Sequence, residues 1–202
     1  MLPYEKAIGK DNKPFLERIE HAFEFAKGLM LFSDFADKEY KRAIISFNLS
    51  ERDLIMKELY DIINSIKELK PLKLNVNNIP VEFRTKEIFD STQAIFDLRK
   101  RVSIDVMNFI HRLNTSNYNE NKHLITRLET HLNKDLKAEI FKAKLGEPVD
   151  RKKHNVLYNA DGDLVVETWV YPGLKCTLTG KVLEPCDITT TTRKELELMS
   201  KI

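Results

Sequence analysis

Apolar residues recur at spacings of three and four along the first two-thirds of the chain, the interval that lines one face of an α-helix. Asn12 suits an N-cap, and Pro14 falls in the first turn, where its missing N–H costs little. Phe15, Ile19, Ala22, Ala26 and Leu29 then form one seam, which Phe23, Phe25 and Met30 widen. After Ser33 and Asp34 a shorter helix carries Ala36, Tyr40, Ala43, Ile44 and Phe47 on one side. Ser50 reads as the next cap, with Asp53 in the third helical position. Ile55, Leu59, Ile62, Ile66 and Leu69 repeat the rhythm until Pro71 stops it.

Residues 72–83 interrupt the pattern. Leu72, Leu74 and Val76 alternate with polar positions, Asn77-Asn78 suits a tight turn, and Pro80 confines any returning strand to an edge. Two long helices are expected next, over 86–113 and 120–145, folded back antiparallel across a short polar connector. The first carries Ile88, Ile95, Val102, Val106 and Phe109, with Arg99 standing where an apolar residue would fit and expected to reach out at the rim. The second carries Leu124, Leu128, Leu132, Leu136 and Ile140, a stripe that winds slowly because four residues overshoot one turn.

Near Gly146 the character of the chain changes. Gly146, Gly162, Gly173 and Gly180, the only Trp and both cysteines lie beyond Leu145, whereas all 11 phenylalanines precede that point. Gly146, backed by Pro148, is read as the stop of the last long helix. Residues 155–158 and 164–171 read as a hairpin around Asn159 and Gly162, Pro172-Gly173 as a second turn, and 175–178 with 182–183 as further strands around Thr179-Gly180. Thr189 to Thr192 suit the cap of a terminal helix. The expected fold is therefore mainly α (α+β): a helical bundle over 1–145 with a long antiparallel pair, then a small antiparallel β meander and short helix over 146–202. So small a meander needs a larger body or a partner to be stable.

Composition narrows the class. The 202 residues are 42% hydrophobic, enough for a true core, and 32% charged with a formal net charge of +2, which excludes a surface that tracks a polyanion throughout. No apolar run approaches the roughly 18 residues of a membrane span, and nothing resembles a secretory leader, so a cytoplasmic, non-membrane protein is expected.

Chemistry-bearing constellations are sparse. Cys176 and Cys186 are the candidates for a metal site, but only His154 lies nearby and zinc asks for four ligands, so two thiols are expected, with no metal and no cofactor. Asp161-Gly162-Asp163 reads as a turn, and Glu17, Glu20, His21 and Glu24, like His123, Glu129 and His131, as solvated helix faces. Phosphate loops, nucleophile elbows and kinase signatures are absent from the sequence, which argues against an enzyme.

Two binding readings remain. The surplus of amphipathic surface points to a non-catalytic interaction or assembly protein whose partner is another protein or a second copy. Leu124, Leu128, Leu132, Leu136, Ile140, Trp169 and Tyr171 are its candidate contacts. The alternative is nucleic-acid binding through the basic stretch of Lys142, Lys144, Arg151, Lys152, Lys153 and His154.

Overall fold

Helices form where the three-four rhythm is sustained, and strands take over where it lapses. The computed structural model describes residues 13–46, 49–67, 81–115, 121–157 and 164–199, and the chain is a mixed α+β protein. Among the described residues four helices come first: α1 (Lys13–Ser46), α2 (Leu49–Lys67), α3 (Val81–Thr115) and α4 (Asn121–Lys134). Six strands follow, β1 (Ala138–Phe141), β2 (His154–Val156), β3 (Leu164–Tyr171), β4 (Gly173–Cys176), β5 (Val182–Glu184) and β6 (Cys186–Thr192), and then α5 (Arg193–Met199). No helix among the described residues is long and apolar enough to cross a membrane. The chain divides into two compact units, Met1–Phe109 with Lys134–Leu136, and Ile110–Asn133 with Lys137–Ile202.

In the first unit α1 is a single helix of 34 residues. The expected break at Ser33 and Asp34 does not occur; Ser33 is buried in mid-helix, because neither residue ends a helix without a turn-making neighbour. Ala22, Phe25, Leu29, Phe32 and Ala36 are the buried stripe, alternating steps of three and four. Phe23 and Met30, expected to widen that face, instead point to solvent at 55% and 65% exposure. Leu59, Ile62, Ile63 and Ile66 of α2 are buried, and the rings of Tyr40 and Tyr60 join α1 to α2 at 5.4 Å.

Packing of α1 on α3 uses aromatic rings and two arginines. Phe25 meets Phe96 edge-on at 5.2 Å, while Arg18 donates to Thr92 Oγ1 and to Gln93 and lies over the Phe96 ring. Arg99 corrects the rim expectation: it is 2% exposed, its Nε donates to the carbonyl of Leu136 at 2.7 Å, and its guanidinium lies 4.3 Å from the Phe25 ring centroid. Burying a cation is tolerable only where acceptors and an aromatic face replace water, and both stand here. At Gly28 the backbone of α1 approaches the 134–136 turn so closely that a Cβ would overlap the carbonyl oxygen of Asp135.

In the second unit α4 stops at Lys134, not near Leu145. Lys137 adopts a positive φ of 49°, which ends helical progress, and β1 begins one residue later. Gly146 is therefore no helix stop; it sits in a turn of the β module with φ 76°. The strands make two three-stranded sheets, β1-β4-β5 and β2-β6-β3. The first is antiparallel throughout; in the second β2 runs parallel to β6 and β3 antiparallel to it.

This topology departs from a simple meander. β2 and β3 do not pair with each other but flank β6, and Pro172 separates strands of different sheets and makes no hairpin. The β4–β5 hairpin does form, with Gly180 at φ 68° and its N–H donated to the Cys176 carbonyl. Ala143, Val166, Cys186 and Ile188 make the core of the module, lined by Phe141, Val149, Val156 and Trp169. Thr192 caps α5 as expected, its hydroxyl accepting from the Glu195 N–H while Glu195 accepts from the Thr192 N–H. The expected extended stretch at 72–80, the Asn12 cap, most of the helix connector and the turn at 159–163 lie outside the described residues.

Candidate functional site

The basic stretch is shaped by backbone hydrogen bonds before any ligand is considered. Lys144 and Glu147 close a turn, the Glu147 N–H donating to the Lys144 carbonyl at 3.1 Å, with Gly146 supplying the positive φ. Gly146 N–H donates to Val166 O, and Val166 N–H to Glu147 O, so this turn is tied to β3. Leu145 stands at its tip, 69% exposed.

A second turn follows at once. The carbonyl of Asp150 accepts from the N–H groups of Lys153 and His154, and its carboxylate accepts from the N–H of Lys152 at 2.9 Å. That last bond, first among its causes, holds the Asp150 carboxyl below the ordinary carboxylate range. Arg151, Lys152 and Lys153 project outward from this frame and are exposed. Lys153 Nζ lies 3.7 Å from Asp150 Oδ2; among the described residues no ion pair engages Arg151, Lys152 or Lys144.

Two of the six basic candidates are differently employed. His154 is buried, with Nδ1 accepting from the Asp150 N–H at 3.2 Å and Nε2 lying 3.2 Å from Glu147 Oε1, so it presents nothing outward. Lys142 lies over the Trp169 ring at 4.2 Å, closing that face of the indole.

The apolar candidates separate in the same way. Leu128, Leu132 and Leu136 are at most 1% exposed and belong to the chain's own core. Only Leu124 and Ile140 of the stripe are partly exposed, and Ile140 lies on β1, on no helix. Tyr171 stacks edge-on against His111 at 4.4 Å, and its carbonyl accepts from the Cys186 thiol. Burial pushes the Tyr171 phenol up, and it pushes the Cys186 thiol up as well. Cys176 and Cys186 are both buried and unbridged; among the described residues no group of three or more His, Cys, Asp and Glu side chains could hold a metal ion.

What sequence reasoning missed is a different apolar set. Leu145, Leu157, Val170, Leu178 and Leu198 of the β module are all at least 40% exposed. Leu145 and Leu178 sit on tight turns whose glycines, Gly146 and Gly180, carry positive φ, and those Leu-Gly and Leu-Thr-Gly pairings were the available signal. On α3, Asp97, Lys100, Arg101, Ile104 and Asp105 line a shallow groove of about 310 Å³, where partial burial raises the Asp105 carboxyl. Comparison with family models, with curated proteins and with solved structures finds no match to this chain.

Proposed function

We propose that the chain is a non-catalytic interaction protein whose β module docks on a partner protein. The observation that supports this reading is the placement of large aliphatic side chains on backbone-locked turns, Leu145 at 69% and Leu178 at 40% exposure. A side chain held out by a rigid turn loses little conformational freedom on binding, which is how an interface anchor gains affinity. Leu157, Val170 and Leu198 supply further apolar surface on the same module. The test compares the wild-type chain with Leu145→Asp and Leu178→Asp in affinity capture, with circular dichroism confirming the fold. A stoichiometric partner kept by the wild type and lost from both variants supports the reading; identical retention by all three overturns it. Light scattering separates a second copy from a different protein, since self-association gives a mass that rises with concentration.

A second reading, nucleic-acid binding, draws support from Arg151, Lys152 and Lys153 on one fixed turn. With His154 buried and Lys142 laid on Trp169, four of the six basic candidates stay outward, diluted by Glu147 and Asp150. It predicts that Lys152→Ala with Lys153→Ala weakens a mobility shift and lowers its salt slope by about 2, one for each phosphate no longer neutralised. No shift at low salt eliminates it.

A further inference from the structure

The bonding of His154 makes the basic turn sensitive to acid. The ring is buried at 5% exposure at the start of β2, beside Cys186 of β6 in the parallel register. Its Nδ1 accepts the backbone N–H of Asp150, and a nitrogen that accepts cannot carry a proton of its own. The tautomer is thereby set: the proton sits on Nε2 and is donated toward Glu147 Oε1 at 3.2 Å. Both ring nitrogens are satisfied only while the imidazole is neutral.

We infer that uptake of a second proton by His154 breaks the bond from the Asp150 N–H to Nδ1 and loosens the base of the turn that presents Arg151, Lys152 and Lys153, while the Asp150 carbonyl keeps the Lys153 and His154 N–H groups. A proton on Nδ1 would face the Asp150 N–H donor-to-donor, so the amide must give up its acceptor. The imidazolium then has two anions within reach. Glu147, with its side chain 34% exposed, already faces Nε2. The Asp150 carboxylate, electrostatically coupled to the ring, is shared with the Lys152 N–H and with Lys153 Nζ at 3.7 Å. Asp187, next to Cys186 on β6, is the further anion of that strand, and Asn155 holds it by a 2.8 Å hydrogen bond. Charge attraction thus replaces the bond that the Asp150 N–H makes to the ring at the turn's base.

The Asp150 N–H bond requires an Nδ1 that carries no proton. Because Cys186 N–H donates to the Lys153 carbonyl, the disturbance sits where β2 joins β6, while the Glu147 turn stays pinned to β3 by two backbone bonds. The motion is local.

Nuclear magnetic resonance on the full chain with 15N-labelled histidine tests this directly. At neutral pH the expected Nδ1 resonance is that of an unprotonated ring nitrogen. On acidification the Asp150 amide protection factor, corrected for intrinsic exchange, should fall about fivefold in step with ring protonation, the worth of one net hydrogen bond. The Val166 amide, bonded to Glu147 O, should keep its protection. His154→Asn retains an acceptor near the Nδ1 position and cannot titrate, so the pH dependence at Asp150 should vanish there. A proton on Nδ1 at neutral pH, or Asp150 protection that ignores the ring's charge, overturns the inference on the wild-type chain alone. The same loss persisting in His154→Asn does so as well, since it would assign the effect to the Asp150 carboxyl.

Discussion

Arg99 in the helical unit and His154 in the β module are both withdrawn from water, at 2% and 5% exposure, yet they are held on opposite terms. Arg99 keeps its charge in any accessible pH and is satisfied by what surrounds it, the Leu136 carbonyl and the face of Phe25. His154 accepts the Asp150 N–H at Nδ1, with Nε2 3.2 Å from Glu147 Oε1, so its hold depends on an unprotonated nitrogen. The first arrangement joins helix to turn permanently; the second can be undone by a proton. Burial of a polar side chain therefore says little until its partners show which charge state they fit.

The largest expected effect tests the permanent side of that contrast. At an ordinary helix position Gly→Ala would stabilise by about 0.5–1 kcal/mol. At Gly28 the added methyl meets the backbone carbonyl of Asp135, which cannot rotate aside, and the sign should invert to a loss of about 3–4 kcal/mol. Denaturant unfolding followed by far-ultraviolet circular dichroism measures it. Trp169, the single tryptophan, reports the β module in the same experiment by fluorescence, and its midpoint should move less. Equal shifts of both signals would show that the two regions unfold as one and would erase the distinction.

Next in size is Arg99→Met, which fills similar space but leaves the Leu136 carbonyl without this donor. A cost of about 2–3 kcal/mol is expected, independent of pH across the neutral range. A pH-dependent cost would contradict the contrast with His154. Thr192→Ala should cost about 1 kcal/mol by removing the hydroxyl that caps α5, read as lost amide protection in the first turn of that helix. The smallest effect is acidification of that cap. The Thr192 N–H, then the Thr192 and Thr191 hydroxyls, hold the Glu195 carboxyl below its ordinary 4.5. A depressed value means stability present above the unfolded-state pKa and lost as pH falls through the folded one, so α5 should fray only in acid below that range. Amide exchange at Glu195 checks it, and Glu195→Gln should flatten the dependence.

The helical part was readable because helix formation is local. Ile95, Val102, Val106 and Phe109 recur at helical spacing and are indeed buried on α3. The end of α4 was not readable: Leu136 and Ile140 continue the four-residue stripe by coincidence, and only tertiary contacts explain why Lys137 takes a positive φ. Its carbonyl accepts from Thr177 N–H, a partner far along the chain. β6 was overlooked for a related reason. Its threonines suit both a cap and a strand, and here Thr192 does both. The strand order β2-β6-β3 depends on distant pairing, which no turn signal announces, and among the described residues β2 and β3 are not the neighbours that the sequence at 159–162 suggested. At the candidate surface, the exposed lysines of the 151–153 turn were foreseen, while the burial of His154 depended on Glu147 and Asp150 closing around it.

The position of β6 between β2 and β3 has a consequence for how the protein is made. A ribosome releases β2 and β3 before Cys186–Thr192 has been translated, so both wait with open hydrogen-bonding edges for a strand still to come. The nascent chain can coil its helices early, but this sheet has no nucleus until its central strand emerges. A pause in synthesis ahead of residue 186 would therefore prolong the interval in which sticky, unpaired edges invite aggregation.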